Sequence, residues 1–151
     1  MRRQNLIIFA AISSAVMLIT AFGFQYIGDL PPCKMCIWQR WPHGIAVAIG
    51  IVGALVYRRS IIFLGALAAL TTAVIGLYHT GVEQNWWEGP NTCTAQPLGD
   101  LTAAEALAQI LKAPVVRCDE IPWELFGLSM AGWNAVVSFL LVLVWLQAAR
   151  R

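Results

Sequence analysis

The sequence predicts an all-α membrane protein, a four-transmembrane-helix bundle with a short amphipathic surface helix in its second outer loop. The 151 residues are 59% hydrophobic and only 12% charged, about half the charge of a soluble domain. The charges are also segregated, because three Arg-Arg pairs alternate with stretches that hold all eight acidic residues and all four cysteines. Long apolar segments lie between them, and arginine beside such a segment marks the cytoplasmic side.

Arg2-Arg3, Arg58-Arg59 and Arg150-Arg151 therefore place both termini and the central turn on the cytoplasmic side. Residues 1–151 are predicted to form a single integral membrane domain. We expect four spans at about 6–27, 37–57, 61–78 and 125–146. Two outer loops, at about 28–36 and 79–124, contain every thiol.

The first predicted span has 22 residues without a charge. As a helix it would rise about 33 Å, enough to cross a hydrocarbon core of about 30 Å. A cleaved signal peptide is the alternative, since Arg2-Arg3 resembles a charged leader region. The length of the apolar stretch favours a span that is retained.

The second span ends before Arg58 and is predicted to begin near Ile37, because His43–Tyr57 alone would be too short to cross. That start puts Pro42 in the early turns, and proline is best tolerated in the first turn of a helix. Only Arg58-Arg59-Ser60 connects the second and third spans, so these helices form an antiparallel hairpin. Small residues recur in all four spans and permit close helix contact.

The second outer loop contains one predicted helix. Thr102 and Glu105 have the spacing of a capping box, and an Ala- and Leu-rich segment runs to Lys112 before Pro114 ends it. We expect this helix to lie on the outer membrane surface, and a helix that caps the bundle is the alternative. Its apolar face consists of Leu101, Ala104, Leu107, Ala108 and Leu111.

The four cysteines indicate thiol chemistry. Cys33 and Cys36 form a C-x-x-C motif in the first loop, and of three possible connectivities, Cys33–Cys36 with Cys93–Cys118 puts one pair in each loop. Closing so small a ring stabilises a fold little, which favours a redox role for the first pair. Cys36 lies at a helix N-terminus with Arg40 one turn later, and both features favour its thiolate.

Zinc is the competing interpretation of the cysteines, since four thiolates can hold this metal tetrahedrally. Cys93 and Cys118 are too widely spaced to form the second half of such a site, so we expect no metal. The first pair is instead expected at the membrane rim, within reach of an apolar oxidant in the bilayer. No basic patch indicates that the chain binds nucleic acid.

With these features in place, the chain resembles the DsbB family of bacterial disulfide bond formation proteins over nearly its whole length. The similar segments are CKMCIWQR at Cys33–Arg40, YHTGVE at Tyr78–Glu83, Cys118-Asp119, Trp123 and FGLS at Phe126–Ser129. The family often has an acidic residue before the arginine, where this chain has Gln39. A carboxylate role at that position therefore does not carry over.

The resemblance implies a protein-disulfide oxidoreductase of the bacterial inner membrane. It would reoxidise a periplasmic DsbA-like protein of thioredoxin fold and pass the electrons to the membrane quinone pool, ubiquinone or menaquinone. Cys93 would be attacked by the partner thiolate, with Cys118 as its own disulfide partner, and exchange would move the electrons to Cys33–Cys36. Cys36 would donate to the quinone, and Arg40 would contact the quinone and stabilise its reduced, negatively charged form.

His79 and Glu83 are two further candidate quinone-binding residues. His79 is expected either to contact a quinone carbonyl or pass a proton, or to be an interfacial histidine with water as its partner. Glu83 is expected to pair with His79 or to cap the helix end. Two other functions stay open: a quinone-coupled enzyme of the vitamin K epoxide reductase type, in which the loop pair precedes the C-x-x-C, and a non-enzymatic membrane scaffold braced by two disulfides.

Overall fold

The computed structural model describes residues 2–90, 93, 102–112 and 116–151. The described residues are mainly helical, with one two-stranded antiparallel sheet. In chain order the elements are α1 Arg3–Tyr26, α2 Lys34–Val56, α3 Arg59–Glu83, α4 Ala103–Lys112, β1 Glu124–Leu125, β2 Leu128–Ser129 and α5 Met130–Arg150.

The four long helices pack into one bundle, in which α2 and α5 each lie against both α1 and α3. Within the described part of the chain, α1, α3 and α5 are long and apolar enough to cross a membrane. α2 has 23 residues, but Gln39, Arg40, Pro42 and His43 make its first half polar. The protein is therefore an α-helical membrane protein by composition and length, and the count of four spans stays a prediction.

The inner half of the bundle, which we define as the half at the Arg-Arg pairs, is held together by apolar packing. Its core includes Ile7, Ile62 and Trp145, none of which is exposed. Trp145 of α5 lies directly on Gly65 of α3, where an added Cβ would come within 2.7 Å of the indole ring. The lack of a side chain at Gly65 thus lets two long helices approach closely, as expected for helices packed in lipid.

The predicted antiparallel hairpin of α2 and α3 is present, and its connection is even shorter than expected. Only Tyr57 and Arg58 lie between the two helices. Tyr57 adopts the left-handed conformation with φ 53°, and its N–H donates to the Gly53 carbonyl 3.2 Å away. α2 therefore ends in a tight left-handed cap, and α3 begins almost at once.

The outer half of the bundle, defined as the half that carries the cysteines, differs from the predicted boundaries. α2 begins at Lys34 rather than near Ile37, because the Cys33 sulfur caps it by accepting a hydrogen bond from the Cys36 N–H at 3.2 Å. Pro42 consequently lies in the third turn of α2, and it is buried in the bundle.

α3 also extends further than predicted, to Glu83 instead of residue 78. His79 was expected at the outer end of the third span and Glu83 just beyond it, but both are buried and have partners inside the bundle. A helix continues through polar residues when their side chains are satisfied in this way. The prediction that the second outer loop begins at residue 79 is therefore wrong.

The predicted start of the fourth helix at residue 125 is also wrong. Residues 124–129 form a β-hairpin in which Glu124 pairs with Ser129 and Leu125 with Leu128. Phe126 and Gly127 occupy its turn with φ of 53° and 75°, the positive values that a two-residue hairpin turn requires. The Ser129 hydroxyl then accepts from the Gly132 N–H at 3.1 Å, so α5 begins at Met130.

The predicted loop helix is present as α4, Ala103–Lys112. Its capping box is formed, since the Thr102 N–H donates to a Glu105 carboxylate oxygen at 2.9 Å and the Glu105 N–H donates to the Thr102 hydroxyl at 3.4 Å. Leu107 and Leu111 on its apolar face are exposed. The predicted residues Leu101 and Pro114 lie outside the described residues, and the position of α4 on a membrane surface stays a prediction.

Candidate functional site

The two cysteine pairs differ in their bonding. Cys93 and Cys118 form a disulfide with their Cα atoms 5.3 Å apart, as predicted. The Cys118 N–H also donates to the Cys93 carbonyl at 2.8 Å, and both cysteines are fully buried. Cys33 and Cys36 are free thiols whose sulfur atoms lie 2.8 Å apart. The structure therefore contains one disulfide and one adjacent dithiol.

The bundle brings the two pairs together around His79. The Cys33 sulfur, the His79 Nε2 and the Cys118 sulfur all lie within 4.8 Å of one another. His79 Nε2 is 3.6 Å from the Cys33 sulfur and 3.1 Å from the Cys118 carbonyl oxygen. Zinc accepts the same donor types, but the Cys118 sulfur is engaged in the disulfide and is not a thiolate ligand. Thiol–disulfide exchange between the pairs needs only a small movement.

The C-x-x-C motif separates the proton affinities of its two sulfur atoms. The hydrogen bond from the Cys33 thiol lowers the pKa of Cys36, with a smaller contribution from the charge of Arg40. The same hydrogen bond, together with burial, raises the pKa of Cys33. The thiolate of the pair is therefore favoured at Cys36, which is the better nucleophile at neutral pH and the better leaving group in exchange.

A cavity of about 560 Å³ lies against this dithiol. Its size falls within the range of small-molecule sites, and such sites are mostly apolar with a few polar groups. The apolar wall includes Met17, Leu18, Phe24 and Val137. The polar and sulfur-bearing side chains that line it include Cys33, Cys36, Gln39, Arg40, His43, His79, Glu83 and Asn134.

Arg40 is held at the edge of this cavity by α1. Its guanidinium donates to the Gln25 side-chain oxygen and, at 3.3 Å, to the Ala21 carbonyl, and it lies 5.0 Å from the centre of the Phe22 ring. These partners are neutral, and among the described residues no carboxylate forms an ion pair with Arg40. Its positive charge is therefore available to an electron-rich ligand.

A chain of buried polar side chains leads from His79 into the bundle. The Gln39 Nε2 lies 2.9 Å from His79 Nδ1, and Asn134 Nδ2 donates to the Gln39 Oε1 at 2.7 Å. Asn134 Oδ1 lies 2.8 Å from His43 Nε2. His79 is thus buried with protein partners, and the expectation of an interfacial histidine hydrated by water is wrong.

Glu83 lies on the same side of α3 as His79. Its carboxylate accepts a short hydrogen bond from the Ser129 hydroxyl and lies 3.8 Å from His79 Nε2. Glu83 was expected either to pair with His79 or to cap the end of α3. The structure shows the contact with His79, and the C-cap residue of α3 is Gln84. The β-hairpin before α5 positions Ser129 for this contact.

All seven predicted site residues belong to this one region: the four cysteines, Arg40, His79 and Glu83. Sequence reasoning did not identify His43, Asn134 or the role of Gln39. The spacing contained a usable signal, since Cys36, Arg40 and His43 recur at helical intervals on one face of α2. Asn134 is an amide among apolar residues near the start of α5, which by itself indicates a residue that faces the bundle interior.

Comparisons with known proteins show the family to which the chain belongs. The family model described as Disulfide bond formation protein DsbB matches residues 2–148. Disulfide bond formation protein B of Albidiferax ferrireducens is 31% identical over 95% of this chain and 90% of its own length. The protein of the same name from Shewanella amazonensis is 33% identical over 90% of this chain and 83% of its own. The whole bundle, and not the C-x-x-C alone, is therefore shared, and the chain belongs to the DsbB family of disulfide bond formation proteins.

Proposed function

We propose that the protein is an inner-membrane thiol oxidase. It reoxidises a periplasmic DsbA-like dithiol through Cys93–Cys118 and Cys33–Cys36 and passes the electrons to a membrane quinone. In this proposal α2 is the fourth span, the termini are cytoplasmic and the cysteines face the periplasm. The main support is that Cys33 lies within 4.8 Å of the Cys118 sulfur, while its neighbour Cys36 lines an apolar cavity.

The first step takes electrons from the partner. A partner thiolate attacks the Cys93 sulfur, the Cys93–Cys118 bond breaks, and Cys118 leaves as a thiolate. The second partner thiol then attacks the mixed disulfide, which releases the oxidised partner and leaves Cys93 and Cys118 with two electrons and two protons. Because the Cys93 sulfur is buried, the residues around it have to be displaced when the partner docks.

The second step moves these electrons to the first pair in its disulfide form. The Cys118 thiolate attacks Cys33, and Cys36 leaves, which suits the sulfur whose pKa is lowered. Cys93 then attacks Cys118, restores the Cys93–Cys118 disulfide and releases Cys33. The product is a disulfide in the second loop and a dithiol at the C-x-x-C, which is the redox state of this structure.

The cavity beside Cys36 fits a quinone. Its walls are mainly apolar, its volume of about 560 Å³ is sufficient for a ring ligand, and Arg40 offers a cation without a carboxylate partner. When bound there, a quinone supplies an acceptor for two electrons and two protons. Arg40 would hold it and offset negative charge that develops on it, Cys36 would face it as the thiolate, and the apolar wall would exclude water.

Trapping the partner tests the first step. In a Cys118→Ala variant Cys93 is left as a free thiol, so we expect its thiolate to attack the disulfide of an oxidised DsbA-like protein. That bond breaks, one partner sulfur leaves as a thiolate, and the mixed disulfide at Cys93 cannot be resolved by Cys118. Non-reducing electrophoresis followed by mass spectrometry of the linked peptides identifies the bond. The matched Cys93→Ala variant is the control and should form no adduct through the second loop. An adduct at Cys33 or Cys36 in place of Cys93 would contradict the proposed order.

The second step is tested by a Cys33→Ser/Cys36→Ser double variant. It keeps the Cys93–Cys118 disulfide, so we expect one equivalent of partner to be oxidised and then turnover to stop, at least about 10³-fold below the unaltered protein. Stoichiometric mixing with reduced partner, followed by thiol counting, separates the single turnover from the steady state. Continued oxidation at the normal rate would show that electrons do not pass through the C-x-x-C.

A further inference from the structure

The buried polar chain has one direction, which a single backbone carbonyl determines. The Gln39 Nε2 lies 3.2 Å from the Met35 carbonyl oxygen, and a carbonyl only accepts, so this end of the amide is the donor. The Gln39 Oε1 must then accept, and the donor that faces it is Asn134 Nδ2 at 2.7 Å. Asn134 Nδ2 also contacts the Thr72 hydroxyl oxygen at 3.0 Å. The remaining polar atom of Asn134, its Oδ1, is therefore an acceptor.

This direction fixes the tautomer of His43. Its Nε2 lies 2.8 Å from Asn134 Oδ1, and two acceptors would repel at that distance, so Nε2 carries the proton. In a neutral imidazole the other nitrogen, Nδ1, then presents a lone pair. The Ser138 hydroxyl, 3.4 Å from both Nε2 and Asn134 Oδ1, is free to donate to the same Asn134 oxygen. None of these hydrogen bonds involves the lone pair at His43 Nδ1.

The free nitrogen of His43 belongs to a side chain that borders the cavity. His43 is only 3% exposed, lines the cavity, and its Nδ1 has no hydrogen-bond partner among the described residues. Leaving a buried acceptor without a partner costs free energy, so native structures rarely do so without a ligand or water. His43 also continues the face of α2 that carries Cys36 and Arg40, about 10 Å deeper than Cys36 along the helix.

From this geometry we infer that His43 binds the ligand of the cavity and accepts a hydrogen bond from a hydroxyl group of the quinol. The inference rests on the proposed function and adds that the cavity binds the quinol in preference to the quinone. The ring oxygens of a quinone only accept hydrogen bonds, and they would face the lone pair of Nδ1. The hydroxyl groups of a quinol donate. His43 therefore favours the reduced ring, which forms as the Cys33 and Cys36 thiols give up two electrons and two protons and become a disulfide.

The test compares the affinities of the two redox forms in a His43→Gln variant. The Gln side-chain nitrogen can take the position of the imidazole Nε2 and keep the bond to Asn134, while nothing replaces Nδ1. A Cys33→Ser/Cys36→Ser background prevents turnover. A short-chain ubiquinone and its quinol are titrated anaerobically in detergent, and quenching of tryptophan fluorescence reports binding. Thr71→Val serves as the control, because the Thr71 hydroxyl donates to the Leu67 carbonyl on an exposed face.

We expect His43→Gln to weaken quinol binding about tenfold and to change quinone binding less than about twofold. The bound couple should become harder to reduce by about 30 mV, the equivalent of a tenfold change for two electrons. A His43→Asn variant, whose side-chain oxygen can lie near the position of Nδ1, should keep the preference for quinol. Thr71→Val should bind both forms like the background protein.

Three results would overturn the inference. If His43→Gln weakens both redox forms equally, His43 only shapes the cavity. If it changes neither, Nδ1 does not face the ligand. If Asn and Gln lose the same quinol affinity, the acceptor at Nδ1 is not responsible. A background protein that binds neither quinone nor quinol would instead refute the proposed function, and the inference would fall with it.

Discussion

The inner and outer halves of the bundle are held together by different interactions. The inner half buries Ile7, Ile62 and Trp145, and Trp145 packs directly on Gly65. The outer half buries polar residues, among them Gln39, His43, His79 and Asn134, which bond to one another. Apolar packing is tolerant of small chemical changes, whereas a buried polar chain requires every donor to meet an acceptor.

The two halves of the same helices therefore have different roles: the inner half stabilises the fold, and the outer half carries the reactive groups. The core cluster of the inner half consists of apolar side chains, so it can fix the helix positions without taking part in thiol chemistry. The outer half uses those fixed positions to orient two histidines and two cysteine pairs. Substitutions in the inner half should therefore lower stability first, and substitutions in the outer half should change the reaction as well.

The largest effect is expected from Trp145→Ala, which removes the main side chain of the inner core. Truncation of a buried tryptophan costs about 3 to 5 kcal/mol, so the free energy of unfolding in detergent should fall by roughly that amount. The quinone affinity of the folded protein should not change. Phe139→Ala on the same helix is the control, because Phe139 is 56% exposed, and its effect should be far smaller. A loss of quinone affinity in Trp145→Ala would remove the distinction between the halves.

A smaller loss of stability is expected from Asn134→Leu in the outer half. The substitution leaves the Gln39 Oε1 and the His43 Nε2–H without their partners, which costs about 1 to 3 kcal/mol. A Gln39→Leu/Asn134→Leu double variant should be less destabilised than the sum of the two single variants, because residues of one network are coupled. Unfolding of all four proteins in detergent gives the coupling energy. Additive effects would mean that the polar chain does not act as a unit.

Arg40→Ala is expected to change the reaction more than the stability, although it also removes the contacts of Arg40 with Gln25 and Ala21 of α1. Hydrogen bonds to a charged group contribute about 1.5 to 3 kcal/mol, so the quinone concentration for half-maximal rate should rise at least about tenfold. Steady-state oxidation of a DsbA-like partner over a range of quinone concentrations measures it. Arg151→Ala at the inner end provides a charge-matched control. Unchanged quinone kinetics in Arg40→Ala would show that Arg40 does not contact the quinone.

The smallest effect is expected at the periphery of the outer half. Arg117 donates to both carboxylate oxygens of Asp119, at 3.0 and 2.6 Å, and holds the pKa of Asp119 below its usual range. Because the folded-state pKa is depressed, the stabilisation is complete above the unfolded value of about 3.9 and is lost as the pH falls through the folded value. For a pair at the surface, only partly shielded from water, it should not exceed about 1 kcal/mol.

An Asp119→Asn variant measures this contribution. Its stability should lie slightly below that of the unaltered protein at about pH 6, and the two should converge towards about pH 3. Glu120→Gln is the comparison, because Glu120 is a more exposed partner of Arg117 at 3.3 Å, and a smaller difference is expected. A stability difference that does not depend on pH would contradict the ion pair as its cause.

Local sequence patterns were sufficient for the helices and for the second disulfide. The apolar segments predict α1 to α3 and most of α5, and the Thr102–Glu105 spacing predicts α4. These features depend on neighbouring residues. The pairing of Cys93 with Cys118 followed from their common loop, and the structure confirms it.

The errors arise where distant residues decide the local structure. Helix α3 continues to Glu83 because partners from α2, the second loop and Ser129 satisfy its polar end. The hairpin before α5 depends on a positive φ at Phe126, which a phenylalanine does not indicate in a sequence. His43 and Asn134 are separated by 91 positions, and only the packing of α2 against α5 identifies them as a pair.

The short turn at Tyr57 and Arg58 constrains the chemistry at the opposite end of the bundle. Gln39 and His79 lie on the two helices that this turn joins, roughly 27 to 30 Å away along their axes. One residue inserted into α3 between this turn and His79 would rotate His79 by about 100° around the helix axis and turn it away from Gln39 and Cys33. The number of residues between this short turn and His79 therefore sets the rotational phase of a histidine at the opposite end of the bundle.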